Sequence, residues 1–215
     1  MISIQKNNPG PRSLIEHAAR GGHYDQGSNF STIKQKIREA LCEEQGFICC
    51  YCMKRIEPTP NKMQIAHIKS QSSHPNLDCS YSNMMGSCPC NETCNQKQED
   101  HDLKLNPTDL SHPVENYIRY EADGTIVSDD NEINKEINDY LNLNSNAQLL
   151  KRNREEIIKR VLKDLNAVQH NKRIRKAQEL LAFWSAFDGG ERREYCGAAI
   201  WLLKKKLHKW TGNNV

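Results

Sequence analysis

The chain has 215 residues, 37% of them hydrophobic and 27% charged, which is enough apolar sequence for a modest core in one domain with an appendage or in two small domains. That composition excludes a collagen and a wholly disordered tail; no apolar run approaches the ~18 residues of a membrane span, and the opening MISIQKNNPGPR lacks the apolar stretch of a secretory signal. The net charge of +3 hides an asymmetry: residues 1–150 carry 14 Lys/Arg against 20 Asp/Glu, a net of −6, and residues 151–215 carry 16 against 7, a net of +9. A basic half of this kind neutralises phosphates or docks on an acidic partner, although solvated helix faces carry such charge equally well.

In chain order, residues 1–30 read as an extended arm broken by Pro9-Gly10-Pro11 and Gly21-Gly22, with one short helix near Ser13–Arg20. Ile33, Ile37 and Leu41 recur at helical spacing, so a helix is predicted from Ser31, its cap, to Gln45, stopped by Gly46. Residues 31–110 form the next unit. Beyond Gly46 it holds most of the cysteines among turn formers, and no helix of ordinary length fits there. Residues 111–143 read as a loop and hairpin connector, with a turn at Asp123-Gly124 flanked by Tyr117-Ile118 and Ile126-Val127.

Residues 144–215 read as a basic helical domain. Asn144 or Ser145 would cap a first helix with Leu150, Ile157, Ile158, Val161, Leu162, Leu165 and Val168 on its core stripe. A second holds Ile174, Ala177, Leu180, Leu181 and Trp184 and ends before Gly189-Gly190. A third spans Arg192–Trp210 with Ile200, Trp201, Leu203 and Leu207 inward, and Lys204-Lys205-Lys206 complement its C-terminal dipole. The three tryptophans, Trp184, Trp201 and Trp210, read as core and interface anchors rather than a base-stacking platform.

Nine cysteines in a chain with no secretory signal point to metal before disulfides. Cys49 and Cys52 form a Cys-x2-Cys pair, and Cys88, Cys90 and Cys94 cluster downstream. Cys49, Cys52, Cys88 and Cys94 are the best tetrahedral zinc set, with Cys90 a rival for either downstream place. Cys42, Cys79 and Cys196 stand alone and read as small buried apolar residues. Between the knuckles lies the strand-like Met63-Gln64-Ile65-Ala66-His67-Ile68. A histidine in a strand is as a rule a satisfied structural one; its place between two knuckles makes His67 a candidate catalyst.

The string CCYC, QIAHIKSQS, YSNMMGSC and TCNQKQ resembles the HNH endonucleases, the ββα-metal nucleases whose pattern runs Cys-x2-Cys, acid-His, Asn, Cys-x2-Cys-Asn-x2-Lys. The flanks IREALCEEQGFICCYCMKRI, HDLKLNP, LNLNSNAQLLKRNREEI and EYCGAAIWLLKKKL are similar to the PtuB-type subunit of Septu and retron anti-phage systems, so the resemblance runs from about residue 12 to 207. It implies an α+β fold, a zinc-stapled HNH module over 31–110 followed by an all-helical C-terminal region. It implies His67 as general base, Asn83 as the residue that fixes the loop and orients it, and Asn95 as a ligand of a catalytic Mg²⁺ or Mn²⁺, distinct from the structural zinc.

By the same resemblance the function is metal-dependent phosphodiester cleavage, with DNA favoured, in the bacterial cytoplasm. The implied partners are a PtuA-type ATPase, the nucleic acid and a retron reverse transcriptase with its nucleic acid. Two positions depart from the pattern. Ala66 stands where the family has its acidic metal ligand, and Gln98 stands where it has lysine, with Lys97 adjacent. Asp100, His101 and Asp102 are the nearby groups able to replace the missing charge. The alternatives are an RNA (tRNA) nuclease of the same type and a non-catalytic zinc scaffold.

Overall fold

In the computed structural model, which describes residues 1–6, 9–146 and 149–212, the arm carries α1 (Arg12–Ala19) and leads into α2 (Phe30–Gln45). Ile37 and Leu41, one turn apart on α2, are completely buried, each burial worth roughly 1.5–3 kcal/mol. Gly46 ends the helix in the left-handed conformation at φ 65°, where a side chain would be strained. Ser31 is not the cap; Asn29 occupies that place without a side-chain bond, and Ser31 lies inside the first turn.

The module that follows contains one antiparallel pair, β1 (Gln64–His67) and β2 (Met84–Ser87), in the register Gln64↔Ser87, Ile65↔Gly86, Ala66↔Met85 and His67↔Met84. Buried Gln45 holds β2 to α2: its Nε2 donates to the Ile48 and Gly86 carbonyls and its Oε1 accepts from the Gly86 amide. A five-residue helix, α3 (Cys94–Gln98), is tied to β1 by Asn95 and Gln98, which donate to Gln64 Oε1 and the His67 carbonyl.

The predicted hairpin forms, but its first strand lies two residues later than Tyr117-Ile118. β3 (Arg119–Tyr120) pairs with β4 (Ile126–Val127). Gly124 makes the turn at φ 82°, and a Cβ there would stand 2.1 Å from the Lys151 carbonyl oxygen, so the turn seats directly on the next long helix. Residues expected to be loop form α4 (Asn131–Lys135), capped by Asp130, and a π-helical turn over Glu136–Tyr140.

The C-terminal helices are α5 (Leu150–Asn166), α6 (Arg173–Ser185) and α7 (Cys196–Thr211). α5 starts later than its predicted cap because Asn144 is used elsewhere. Its amide bonds both backbone groups of Ile126 and its Oδ1 also accepts from Arg154. α7 starts four residues after Arg192, since Asp188–Glu191 close a small turn and Arg55 Nη2 donates to the Arg192 carbonyl. Ile174 is exposed on α6, whereas Ala177, Leu180 and Trp184 are buried. Trp201 and Trp210 are half-buried against the core.

One apolar core runs from Met1, Ile2 and Ile4 through the cysteine module to Leu207. The segments are also tied by polar bonds: Tyr195 donates its amide to the Met53 carbonyl, and Cys94 donates its amide to the Leu141 carbonyl. No helix among the described residues is long and apolar enough to cross a membrane.

Buried Glu136 is the polar anchor of this packing, its two carboxylate oxygens accepting from the amides of Lys104 at 2.6 Å and Leu105 at 2.9 Å. Glu136→Ala leaves both donors without partners, at ~1–3 kcal/mol each, and is expected to lower the unfolding free energy by about 2 kcal/mol or more in urea titration. An unchanged midpoint would show that water replaces the carboxylate freely.

Candidate metal centre and histidine site

The residues Ile48 to Arg55 turn back on themselves so tightly that the amide of Cys49 donates to the Lys54 carbonyl and that of Met53 to the Cys49 carbonyl. The turn needs Met53 in the left-handed region, φ 63°, and Cys94 enters α3 at φ 59°. These two turns bring the Sγ atoms of Cys49, Cys52, Cys88 and Cys94 within 4.8 Å of one another, all four buried. Cys49 and Cys94 are 3.9 Å apart and Cys52 and Cys88 3.7 Å, spacings that a tetrahedral ion with ~2.3 Å bonds spans. Cys90 lies outside this group and is half-buried, and Cys42 and Cys196 are buried elsewhere.

The electrostatics of the cluster call for a cation. Burial opposes ionisation of Cys49, yet the Cys50, Cys52, Cys88 and Cys94 thiols together hold it well below the ordinary thiol range. Hydrogen bonding to Cys49 and Cys88 drives Cys52 well up, and burial drives Cys94 well up. One thiolate is thus stabilised at the expense of the others, and a divalent ion is the species that lets all four ionise. The donor set fits a structural zinc.

His67 ends β1 with its ring half-buried, edge-on to Tyr24 at 4.7 Å. Its Nε2 lies 3.0 Å from the Asp78 carbonyl oxygen, with the Gln71 amide end 3.1 Å away. The carbonyl only accepts and the Gln71 Nε2 only donates, so the two contacts suit opposite tautomers of the neutral ring: with the Asp78 carbonyl as partner Nε2 carries the proton and Nδ1 keeps its lone pair, and with Gln71 as partner the reverse holds. Burial lowers the pKa of His67, against the opposing pull of the Asp78 carbonyl, and so favours the neutral form. The Asp78 carboxylate takes the Tyr24 amide at 3.1 Å and His23 Nδ1 at 3.0 Å, which fixes the carbonyl and the ring contact together. Neither Asp78 nor Tyr24 is flagged by the sequence, because each acts through a partner more than ten positions away.

Asn83, only 7% exposed, clamps the loop after β1. It accepts from the Lys69 amide at 2.8 Å and donates to the Lys69 and Leu77 carbonyls at 3.0 and 3.2 Å. Gln98, at the lysine position of the motif, is 1% exposed; it accepts from the Tyr51 hydroxyl and donates to the His67 and His101 carbonyls. It ties α3 to both the first knuckle and the histidine strand. Asn95 is half-buried and donates to Gln64 Oε1 at 3.3 Å.

A second, catalytic divalent ion does not fit the residues present. Ala66 is fully buried opposite Met85 and offers no oxygen. Asp102 is engaged by His74 Nε2 at 2.7 Å, the Ser70 amide at 3.1 Å and Lys69 Nζ at 3.4 Å. His101 stacks on Tyr140 at 4.0 Å. Among the described residues the four cysteines are the one group of three or more His, Cys, Asp or Glu donors drawn together. Magnesium sites ordinarily include a carboxylate, and Asn95 has none in such a group.

Metal analysis of the purified chain should therefore return about one zinc per chain. Cys52→Ser should lose it and Cys90→Ser should keep it. Stoichiometric zinc in the Cys52→Ser protein would remove the assignment.

No family model matches the chain. A protein of Vibrio cholerae serotype O1 biovar El Tor named "Retron Vc95 putative HNH endonuclease" is 32% identical to it, over 80% of this chain and 89% of the relative. The cysteine cluster, the β1–β2 pair and α3 are consistent with an HNH module. The chain belongs to the HNH endonuclease family.

Proposed function

We propose that this HNH nuclease is the phosphodiester-cleaving subunit of a bacterial anti-phage defence complex, acting on DNA in preference to RNA. The observation that carries the catalytic part is His67, half-buried at the end of β1 with Nε2 3.0 Å from the Asp78 carbonyl oxygen, a contact that leaves Nδ1 as the basic nitrogen when Nε2 is protonated. In this reading Nδ1 takes the proton of a water that attacks phosphorus, Asn83 keeps the loop beside the ring in place, and Gln98 fixes the strand. The defence role is supported by the retron in the relative's name and by the likeness to PtuB-type subunits.

The same likeness names a PtuA-type ATPase as partner. Phe183 and Phe187, 43% and 44% exposed, support a docking face on the C-terminal helices. The guanidinium of Arg193 lies 3.7 Å over the Phe183 ring and that of Arg192 5.0 Å over Phe187, a mixture of aromatic and arginine typical of interface anchors. Ala66 favours a second reading, a zinc scaffold that recruits without cutting.

Three measurements test these readings. His67→Ala should keep fold and zinc while cleavage of DNA in the presence of the ATPase falls ~10²–10⁴-fold. Undiminished cleavage would move the base elsewhere. Because burial lowers the His67 pKa, the neutral base persists to more acid pH than a free imidazole, and the acid limb of the pH–rate profile should lie below 6.5. A limb at or above that value would contradict the burial argument. Gln64 and residue 66 project to the same side of β1, the side on which Asn95 meets Gln64, so Ala66→Asp places a carboxylate beside Asn95. It should strengthen Mn²⁺ binding and raise cleavage by about two orders of magnitude. Full activity with Ala66, unimproved by the carboxylate, would show that the charge comes from another group. No cleavage by either protein would favour the scaffold.

A further inference from the structure

We propose that Lys69, the Ser70 amide and His74 form a subsite for a phosphate of the nucleic-acid backbone beside His67, and that the Asp102 carboxylate fills it until the polymer arrives. The inference rests on the nuclease reading and names a part of the substrate contact that this reading leaves open. His74 Nε2 lies 2.7 Å from Asp102 Oδ2, Lys69 Nζ lies 3.4 Å from the same oxygen, and the Ser70 amide donates to Oδ1 at 3.1 Å. An ammonium, an imidazole and a backbone amide thus converge on the two oxygens of one anion. Donors of these kinds are the ones that proteins direct at backbone phosphates.

The donors are fixed from both sides by residues of the histidine site. Asn83 accepts from the Lys69 amide and donates to the Lys69 carbonyl, and the Oγ of buried Ser70 accepts from the Ser73 amide, so the loop presents these groups already ordered. On the other side Gln98 donates to the carbonyls of His67 and His101, which seats the residue before Asp102 against the end of β1. Gln71, between Ser70 and His74 in the loop, reaches His67 Nε2 at 3.1 Å. One side chain therefore spans from the loop that carries the subsite to the candidate base. A polymer with a charge at every nucleotide can engage both places at once.

The Asp102 side chain is the group that must yield. Burial works against its charge, yet the Ser70 amide, His74 and Lys69 hold it below the ordinary carboxylate range, so the place it occupies favours an anion. The Lys69, His74 and Asp102 side chains are 43%, 35% and 36% exposed, and ion pairs this open to water contribute little to folding. A phosphodiester brings the same charge and an equivalent pair of oxygens, and two anions cannot share the three donors. Rotation of one side chain into solvent frees all of them.

The test is binding of a labelled DNA duplex of ~20 base pairs to the full zinc-loaded chain, by fluorescence anisotropy over a salt series without added Mg²⁺ or Mn²⁺. Lys69→Met should weaken binding about 3- to 10-fold and reduce the slope of log affinity against log salt by about 1. Asp102→Asn keeps an acceptor for the Ser70 amide, opens the subsite and should strengthen binding by about the same factor. Asp100→Asn, the same change of charge two residues away, should gain less than about twofold, because salt screens a charge outside the contact. Lys69→Met combined with Asp102→Asn should bind no better than Lys69→Met alone. Equal gains in Asp100→Asn and Asp102→Asn would overturn the inference, and so would a gain that survives Lys69→Met. A lower unfolding temperature in Asp102→Asn with no gain in affinity would show that Asp102 only holds the loop. Should Asp102→Asn fail to fold, parental affinity in both Lys69→Met and His74→Ala would be decisive against the subsite. A parent that binds no DNA, with or without the ATPase, would instead defeat the nuclease reading, and the subsite with it.

Discussion

Four buried thiols within 4.8 Å of one another are the constraint on which the rest of the molecule depends. Burial of residues such as Ile48, Ile56, Met63 and Met84 packs the module but draws no sulfur toward another, and proximate thiols compete for ionisation instead of attracting. A tetrahedral ion turns that competition into four bonds. With the knuckles fixed, the Cys50 amide meets the Gly86 carbonyl, Gln45 closes on Gly86, and β2 can lie against β1 in only one register. That register places His67 opposite Met84 and next to the Asn83 clamp. The position of the histidine is therefore tied to the cysteines on either side of it in the chain.

The histidine site is composite in a way that the division into arm, module, connector and helices conceals. Tyr24 comes from the arm, Asp78 and Asn83 from the loop between the strands, and Gln98 from the helix after the second knuckle. Asp78 is the hinge of the arrangement. Burial works against its ionisation, but the Tyr24 amide and His23 keep it low, so its carboxylate remains an acceptor while its carbonyl faces His67. A single residue thus links the chain ahead of α2 to the imidazole.

What sequence could and could not show divides along the range of the interaction. α2 and the three C-terminal helices announce themselves by period, since Ile37 and Leu41, or Ile158, Val161 and Leu165, must share a face. The cysteines announce themselves by spacing. By contrast, Glu136 accepts from amides thirty-two and thirty-one positions away, Arg154 from α5 reaches back thirty to Gly124, and Gln98 touches Tyr51 and His67 from a five-residue helix. None of these has a local signature. The same reason explains the displaced boundaries. Asn144 has the chemistry of a helix cap but bonds Ile126, and Arg192 has helical propensity but gives its carbonyl to Arg55.

The absence of a carboxylate at position 66 has a clear physical setting. Four of the groups that support the strand and the loop around His67 are neutral amides: Asn83, Gln98, Gln64 and Asn95. Such groups satisfy backbone donors and acceptors whatever the charge of the site, so the scaffold survives the loss of an acidic residue intact. The acidic residue bound to this loop, Asp102, is drawn by Lys69 and His74 and by the Ser70 amide, and its charge is spent on holding the loop. Structure and charge are carried by different residues here. The fold keeps the arrangement around His67 with no carboxylate at position 66.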